Sequence, residues 1–180
     1  MPRIIPRLDI KGSNLVKGIH LEGLKILGNP NDFSKYFYAN GADELLYMDS
    51  VASLYGRNSL NEFIETTVKE IFIPLTVGGG LRSVADISAV LNSGADKVAI
   101  NTEAINRPEF ISEAVKKFGA STIMVEIQTK RQLDGTYIAF TDNGRNPSCL
   151  DSVEWAKQVE QLGAGEILIT SIDRDGTGLG

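Results

Sequence analysis

A regular alternation of short apolar runs with longer amphipathic segments constrains the fold of this chain more than any other feature. The short runs are rich in β-branched residues and predict six strands, at residues 4–10, 44–49, 75–77, 97–100, 122–127 and 166–172. The amphipathic segments carry apolar residues at a spacing of about 3.6 and predict five helices, at residues 32–40, 59–70, 83–92, 107–118 and 152–162. Such alternation is typical of βα units on a parallel sheet.

One segment, at residues 130–150, interrupts this alternation after the fifth strand. Its Asp134-Gly135 pair precedes an apolar run at residues 137–140 and predicts a tight turn between antiparallel strands. We therefore expect an inserted hairpin that lies over one end of the sheet.

Two internal similarities favour a barrel over an open sheet, because a duplicated half-barrel leaves matching residues at a fixed offset. Residues 41–46 (Gly-Ala-Asp-Glu-Leu-Leu) match residues 163–168 (Gly-Ala-Gly-Glu-Ile-Leu), and Asp9 in the first strand corresponds to Gln128 in the fifth. Two halves of about 120 residues total about 240, close to the ~250 of an eight-fold βα barrel. The sequence therefore predicts a partial (β/α)8 TIM barrel: one domain over residues 1–180, C-terminally truncated, with about six βα units and without strands seven and eight.

The composition argues against several classes of function. The formal charge of −5 provides no basic face for a nucleic-acid backbone, and no apolar stretch approaches the ~20 residues that cross a membrane. Cys149 is the only cysteine and His20 the only histidine, which argues against an internal disulfide, a histidine-rich metal site and most histidine-activated nucleophiles. We therefore expect a cytoplasmic protein without metal or cofactor, whose chemistry uses carboxylates, amides, lysines and backbone groups.

Three loops at the carboxyl ends of predicted strands are candidates for phosphate binding, because the working groups of such barrels lie at these ends. They contain Gly78, Gly79 and Gly80 after the third strand, Asn101 and Thr102 after the fourth, and Asp175, Gly176 and Thr177 after the sixth. Glycine lets backbone N–H groups approach an anion closely, although the alternative is that each glycine-rich loop is a tight turn. Two such sites, one in each half, would suit a long substrate with a phosphate at each end.

Three further polar side chains lie at the ends of strands, namely Asp9, Asp49 and Gln128. A carboxylate at a barrel mouth can act as general acid or base when its surroundings favour proton exchange near neutral pH. Asp9 could instead form an ordinary ion pair with Lys11 or Lys17. The residues alone leave both roles open.

Four charged residues begin strands and should meet at the opposite, amino-terminal mouth: Arg3, Glu44, Lys97 and Glu166. Charges seldom enter a barrel end without partners, and two of each sign form a neutral ring. The ring is either a structural plug or a gate for a small polar molecule.

Motifs along the whole chain resemble the cyclase subunit of imidazole glycerol phosphate synthase, from histidine biosynthesis. They lie at residues 5–11, 15–18, 43–49, 75–80, 94–102 and 163–177. The resemblance implies a glutamine amidotransferase complex in which a glutaminase partner supplies ammonia. The implied reaction converts a bis-phosphorylated ribulosyl aminoimidazole carboxamide nucleotide to imidazole glycerol phosphate and a purine precursor, which makes the chain a lyase.

The resemblance also implies roles for individual residues. It makes Asp9 the catalytic carboxylate and places Gln128 at the position of the second catalytic acid. It surrounds the substrate and its phosphates with Lys17, Asp49, Gly79, Gly80, Asn101, Thr102, Asp175, Gly176 and Thr177. It makes the ring of Arg3, Glu44, Lys97 and Glu166 an ammonia gate, with Asp96 on the rim that meets the glutaminase.

Gln128 departs from the family pattern, because an amide cannot exchange a proton near neutral pH. Glu126 precedes it by two residues and lies on the same side of the strand, but deeper in the barrel. Three hypotheses follow: an ammonia-dependent cyclase, a paralogue that channels ammonia to an amidotransferase acting on a sugar, and an inactive phosphate-binding barrel fragment. Unpaired edges at the first and sixth strands would also favour self-association.

Overall fold

A computed structural model of the chain describes residues 2–52 and 60–179. The chain divides into two compact units: the first contains Met1–Lys17 and Lys25–Val98, and the second contains Gly18–Leu24 and Ala99–Gly180. Ser59, where a helix was predicted to begin, and Gly180 lie outside the described residues. Among the described helices, none has the length and apolar character needed to cross a membrane.

The first unit is built on parallel strands. Its strands are β1 (Arg7–Lys11), β2 (Asn14–Ile19), β3 (Glu22–Gly28), β4 (Leu45–Asp49), β5 (Leu75–Gly78) and the start of β6 (Lys97–Ile100), and its helices are α1 (Pro30–Ala39), α2 (Asn61–Thr67) and α3 (Val84–Asn92). The strand order is β3-β2-β1-β4-β5-β6, in which β1, β4 and β5 pair in parallel and β2 pairs antiparallel to β1. Every residue of β4 is buried, as expected for a parallel strand covered on both faces.

The second unit pairs parallel and antiparallel strands around β7. It contains helix α4 (Thr102–Asn106), helix α5 (Glu109–Phe118), the 3₁₀ helix Ala120–Thr122, strands β7 (Ile123–Arg131), β8 (Tyr137–Thr141) and β9 (Asn146–Asp151), helix α6 (Ser152–Gln161) and strand β10 (Glu166–Ser171). Strand β7 pairs with β10 in parallel and with β8 antiparallel, and β8 continues antiparallel to β9. The tip of the β2–β3 hairpin, Gly18–Leu24, also belongs to this unit.

Local sequence explains where the helices begin. Asn29 caps α1 by accepting the N–H of Asn31, and a proline takes the first helical position, where no N–H is needed. Ser83 and Asp86 form a reciprocal capping box at the start of α3. Asp151 accepts two N–H groups at the start of α6.

All six predicted strands and five predicted helices are confirmed, with bounds that differ by a few residues. The inserted hairpin is confirmed as β7–β8, in which Gly135 adopts φ 89° in the turn. The β2–β3 hairpin and α4 were missed. The prediction that the first strand is an exposed edge is wrong, because β2 pairs with β1 on the side opposite β4.

The β2–β3 hairpin escaped prediction because its turn lacks the usual turn residues. His20 and Leu21 both adopt positive φ, at 56° and 63°, where glycine or asparagine is normally found. Their conformation is set by contacts that are distant in sequence.

A buried hydroxyl network ties α1 and α2 to β4 in the first unit. The Tyr47 hydroxyl lies 2.7 Å from Ser34 Oγ and 2.6 Å from Thr67 Oγ1. Burial raises the pKa of Tyr47 above its ordinary value, and the hydrogen bonds with Ser34 and Thr67 oppose this. The network satisfies polar groups that would otherwise be costly inside the core.

We predict that Tyr47→Phe lowers the free energy of unfolding by about 1–2 kcal/mol, because two buried hydroxyls each lose one hydrogen-bond partner. Chemical denaturation measures this change. Tyr36→Phe is the matched control on the exposed face of α1 and should alter stability by less than about 0.5 kcal/mol. Equal losses for the two variants would show that the network contributes nothing specific.

The difference in stability between the natural protein and Tyr47→Phe also depends on pH. Since the folded-state pKa of Tyr47 is raised, its contribution to stability is complete below the pKa of an unfolded tyrosine, about 10, and is lost as the pH rises through the folded value. The natural protein should therefore lose more stability than Tyr47→Phe in this alkaline range.

Candidate active site

A buried carboxylate lies in the middle of β1 in the first unit. Asp9 Oδ1 accepts a hydrogen bond from Arg7 Nε at 2.7 Å, and Asp9 Oδ2 accepts one from Lys17 Nζ at 3.2 Å. Lys17 reaches it from β2, which pairs antiparallel with β1 and places Val16 opposite Asp9. The ion pair between Asp9 and Lys17, left open by the sequence, is thus present, and it holds the carboxylate in one orientation.

The glycine loop after β5 packs directly against the end of β4. A Cβ atom on Gly79, which adopts φ 100°, would lie 2.5 Å from the carbonyl oxygen of Asp49. Only glycine fits this approach without moving the backbone. Asp49 is buried, and its Oδ1 accepts the N–H of Val51 at 3.0 Å. Gly80 follows with φ 70°.

Asn101 and Thr102, after β6, bind the inserted hairpin of the second unit. The Asn101 amide nitrogen donates to the carbonyl oxygen of Phe140 at 3.2 Å, and Thr102 Oγ1 accepts the N–H of Asp142 at 3.0 Å. Within the described part of the chain, the buried Oδ1 of Asn101 has no hydrogen-bond partner. An anion accepts hydrogen bonds and donates none, so it cannot bind the Oδ1 atom of Asn101. Any phosphate contact must therefore come from other atoms of this segment.

The loop after β10 holds the tip of the β2–β3 hairpin. The carbonyl oxygen of Asp175 accepts the N–H of His20 at 2.9 Å, and the side-chain Oδ2 of Asp175 accepts the N–H of Leu21 at 3.2 Å. His20 Nδ1 lies 2.9 Å from the carbonyl oxygen of Ile172. Leu21 and Ile172 join Phe140 in a small apolar cluster. The predicted phosphate loop therefore has a structural role as well.

Gly176 and Thr177 complete this loop. A Cβ atom on Gly176 would lie 2.0 Å from the carbonyl oxygen of Gly18, so the hairpin tip requires glycine here. Thr177 Oγ1 donates to the carbonyl oxygen of Arg174 at 2.7 Å and accepts the N–H of Leu179 at 3.2 Å. The threonine hydroxyl closes its own turn.

Gln128 forms part of a buried polar group on β7 and β10. Its Nε2 donates to Glu126 Oε2 at 3.0 Å, and Thr170 Oγ1 donates to Glu126 Oε1 at 2.9 Å. Both Glu126 and Gln128 are buried. Sequence analysis placed these two residues on one side of a strand but did not identify their direct contact or Thr170.

Three of the four predicted ring residues meet in the first unit. The buried carboxylate of Glu44 pairs with Arg3, and its Oε2 accepts a hydrogen bond from Lys97 Nζ at 3.2 Å. Asp96, beside Lys97, accepts the N–H of Leu75 at 2.8 Å. Glu166, the fourth, begins β10 in the second unit opposite Met124.

An exposed aromatic pair, formed by Tyr38 and Phe72, also lies in the first unit and was missed by sequence analysis. Phe72 is 79% exposed, and its ring centroid lies 6.4 Å from that of Tyr38. Large apolar groups exposed together commonly mark interaction surfaces. The signal was weak because the residues are separated by more than 30 positions in the sequence.

Within the described ranges, no cluster of three or more histidine, cysteine, aspartate or glutamate side chains could hold a metal. Parallel βα units with a buried carboxylate on one strand and glycine-containing loops after two others define an α/β protein of the βα-barrel type. The chain belongs to the histidine biosynthesis protein family, whose model matches residues 3–180. The predicted (β/α)8 fold class is confirmed by this membership, although the described strands form no closed barrel.

A relative of known function extends this result. The chain is 55% identical over 175 residues to the imidazole glycerol phosphate synthase subunit HisF of Legionella pneumophila. These aligned residues cover 97% of this chain and 82% of that protein. The resemblance to the cyclase subunit family, inferred from motifs, is confirmed.

We predict that Gly176→Ala releases the hairpin tip, because the new Cβ atom would clash with the carbonyl oxygen of Gly18. Amide hydrogen exchange at His20 and Leu21, whose N–H groups are bound by Asp175, should accelerate by at least about tenfold. Gly178→Ala is the matched control: its φ of 70° is nearly the same as the 71° of Gly176, but nothing lies within 4 Å of its Cβ position. Equal exchange rates in the two variants would contradict the steric account.

Proposed function

We propose that this chain acts as the cyclase subunit of an imidazole glycerol phosphate synthase. In the proposed reaction, ammonia from a glutaminase partner and a bis-phosphorylated ribulosyl aminoimidazole carboxamide nucleotide yield imidazole glycerol phosphate and a purine precursor. The observation that carries the proposal is the 55% identity to a subunit of that enzyme over 97% of this chain. A role in amino-acid biosynthesis also supports a cytoplasmic location.

In this proposal Asp9 is the catalytic carboxylate of the first unit. The hydrogen bonds from Arg7 and Lys17 support that role, because they fix both carboxylate oxygens before a substrate arrives. The proposal assigns Lys17, Asp49, Gly79 and Gly80 to substrate binding in the same unit. Lys17 would then move between Asp9 and a phosphate oxygen, or contact both with different hydrogens of its ammonium group.

In the second unit the proposal assigns phosphate binding to Asn101, Thr102 and the loop of Asp175, Gly176 and Thr177. Candidate donors there are the Thr102 hydroxyl, which only accepts in its bond with Asp142, and the backbone N–H of Gly176. The N–H groups of Asp175 and Thr177 already donate to the carbonyl oxygens of Ser171 and Arg174. Gly176 adopts a positive φ of 71°, a turn conformation of the kind in which an N–H group can face an anion.

The proposed ammonia gate centres on Glu44. Arg3 and Lys97 both bind its carboxylate, and these ion pairs would have to separate to admit ammonia. Arg3 is half-exposed, whereas Lys97 is mostly buried, so Arg3 is the member that can leave at lower cost. Glu166 is the fourth proposed member.

Glutaminase docking is proposed for the surface of the first unit that carries Asp96 and the aromatic pair of Tyr38 and Phe72. Asp96 contacts the first residue of β5, and Phe72 lies three residues before that strand. An aromatic anchor beside a charged rim is typical of protein–protein interfaces.

We predict that Phe72→Ser weakens glutaminase binding by about tenfold or more, the usual effect of losing an aromatic anchor. Calorimetric titration with the glutaminase subunit of the same organism measures the change. Turnover with ammonium salt should stay unchanged, because it needs no partner. Leu133→Ser, at the exposed turn of the β7–β8 hairpin, is the control and should leave glutaminase affinity unaltered. Equal affinities for the natural chain and Phe72→Ser would exclude this surface.

A second candidate function is supported by Gln128. Its buried amide binds Glu126 and cannot act as an acid or base, whereas the gate pairs of Glu44 are complete. A chain with these features could deliver ammonia to another protein, such as an amidotransferase that modifies a sugar, without catalysing cyclisation itself. The third hypothesis, an inactive phosphate-binding fragment, predicts neither cyclisation of the substrate nor delivery of ammonia to another protein.

Turnover of the bis-phosphorylated substrate with ammonium salt and no glutaminase separates these functions. If the chain is a cyclase, the natural protein turns over and Asp9→Asn lowers the rate by at least about 100-fold, through loss of the catalytic carboxylate. Asp32→Asn, on the exposed face of α1, is the matched control and should retain the natural rate. A natural protein that is inactive while Gln128→Asp turns over would favour ammonia delivery instead.

Self-association is proposed through β10. Exposed edges were predicted at the first and sixth strands, and β10 is the sixth. In the described residues its one strand partner is β7, and Ile169 on its surface is 56% exposed. An exposed apolar edge strand favours pairing with another chain. A solution mass equal to one chain at micromolar concentration would exclude it.

A further inference from the structure

We propose that Glu126 is a positioning residue, which fixes the side-chain amide of Gln128 so that its carbonyl oxygen accepts a hydrogen bond from the ligand. The site therefore selects a ligand group that carries an O–H or N–H donor. This inference deepens the proposed function and rests on it for the identity of the ligand. It gives the amide at this position a binding role in place of an acid–base role.

The orientation of the Gln128 amide follows from the chemistry of its neighbour. Glu126 and Gln128 are two residues apart on β7, so their side chains lie on the same face of the strand. Gln128 Nε2 lies 3.0 Å from Glu126 Oε2. An ionised carboxylate accepts hydrogen bonds but donates none, so only the amide nitrogen can face it favourably. The reversed amide would place two acceptor oxygens against each other.

Glu126 is itself held from the neighbouring strand. Thr170 Oγ1 donates to Glu126 Oε1 at 2.9 Å, while the other carboxylate oxygen accepts from Gln128. Strands β10 and β7 pair in parallel, with Thr170 opposite Gln128 and Leu168 opposite Glu126. The three side chains thus sit on two strands in fixed register, which gives the amide one preferred orientation.

The oxygen of the Gln128 amide is the atom left for a ligand. Gln128 is 3% exposed, and among the described residues its Oε1 has no hydrogen-bond partner. A buried acceptor without a donor is unfavourable, and native structures usually supply a protein group, water or ligand for it. Because the amide is neutral, it suits a hydroxyl or an uncharged N–H as well as an ammonium ion.

Substrate affinity in a double-mutant cycle tests the inference. Gln128→Leu removes the acceptor and should weaken binding of the bis-phosphorylated substrate about tenfold. Glu126→Gln keeps the shape of the side chain but can donate as well as accept, so the Gln128 amide loses its fixed orientation; we expect a five- to tenfold weakening. In the double variant the effect should stay within about twofold of Gln128→Leu alone, because Glu126 acts through Gln128. Glu160→Gln, an exposed charge removal on α6, is the control and should bind normally.

Nuclear magnetic resonance of the Gln128 side-chain amide tests the orientation without a ligand. In the natural chain, its N–H₂ signals should be displaced from those of free glutamine and exchange slowly, and they should revert in Glu126→Gln. Titration with the substrate and, separately, with ammonium chloride then shows whether a hydroxyl-bearing ligand or ammonium perturbs these signals.

Several results would overturn the inference. The first is that the Gln128→Leu variant binds the substrate as tightly as the natural chain. The second is that Glu126→Gln weakens substrate binding as much in the Gln128→Leu variant as it does in the natural chain. If the natural chain binds no substrate at all, the proposed function fails. The amide signals then decide the inference alone: displaced signals that revert in Glu126→Gln and respond to ammonium support it, and signals like those of free glutamine overturn it.

Discussion

Buried carboxylates on or beside parallel strands can persist only when neighbouring groups compensate for their lost hydration, and this constraint organises both units of the protein. Asp9 accepts from Arg7 and Lys17, Glu44 from Arg3 and Lys97, and Glu126 from Gln128 and Thr170. In each case at least one partner comes from another strand or segment, so strand register determines the pairing. Removing one partner would leave a buried charge without compensation.

The same loops combine structural and candidate binding roles. Asp175 accepts two backbone N–H groups of the hairpin tip, and a Cβ atom on Gly176 would lie 2.0 Å from the carbonyl oxygen of Gly18. Asn101 and Thr102 bind the inserted hairpin through Phe140 and Asp142. A ligand bound at either loop would therefore be coupled to the position of a hairpin through direct contacts.

Gln128 decides how the chemistry of this chain is interpreted. Family membership and the relation to HisF favour a cyclase, whereas the amide of Gln128 cannot transfer a proton as a carboxyl group can. The hydrogen bond to Glu126 favours one orientation of the amide, and the binding role proposed for Gln128 depends on that orientation. A binding role for Gln128 is consistent with a changed substrate or a changed function of the chain.

The sequence by itself determined the α/β class, the six βα strands, the inserted hairpin and the family, because hydrophobic periodicity and contiguous motifs are local properties of the chain. It also identified Asp9 and Gln128 as polar residues on strands, and placed Glu44 at the start of a strand, one residue before β4 begins. The tertiary structure alone decided that Arg7 and Lys17 bind Asp9, and that Gln128 donates a hydrogen bond to Glu126. It alone revealed the β2–β3 hairpin, because the left-handed turn at His20 and Leu21 is stabilised by Asp175, more than 150 residues away. Contacts between residues so distant in sequence leave no local pattern from which they could be predicted.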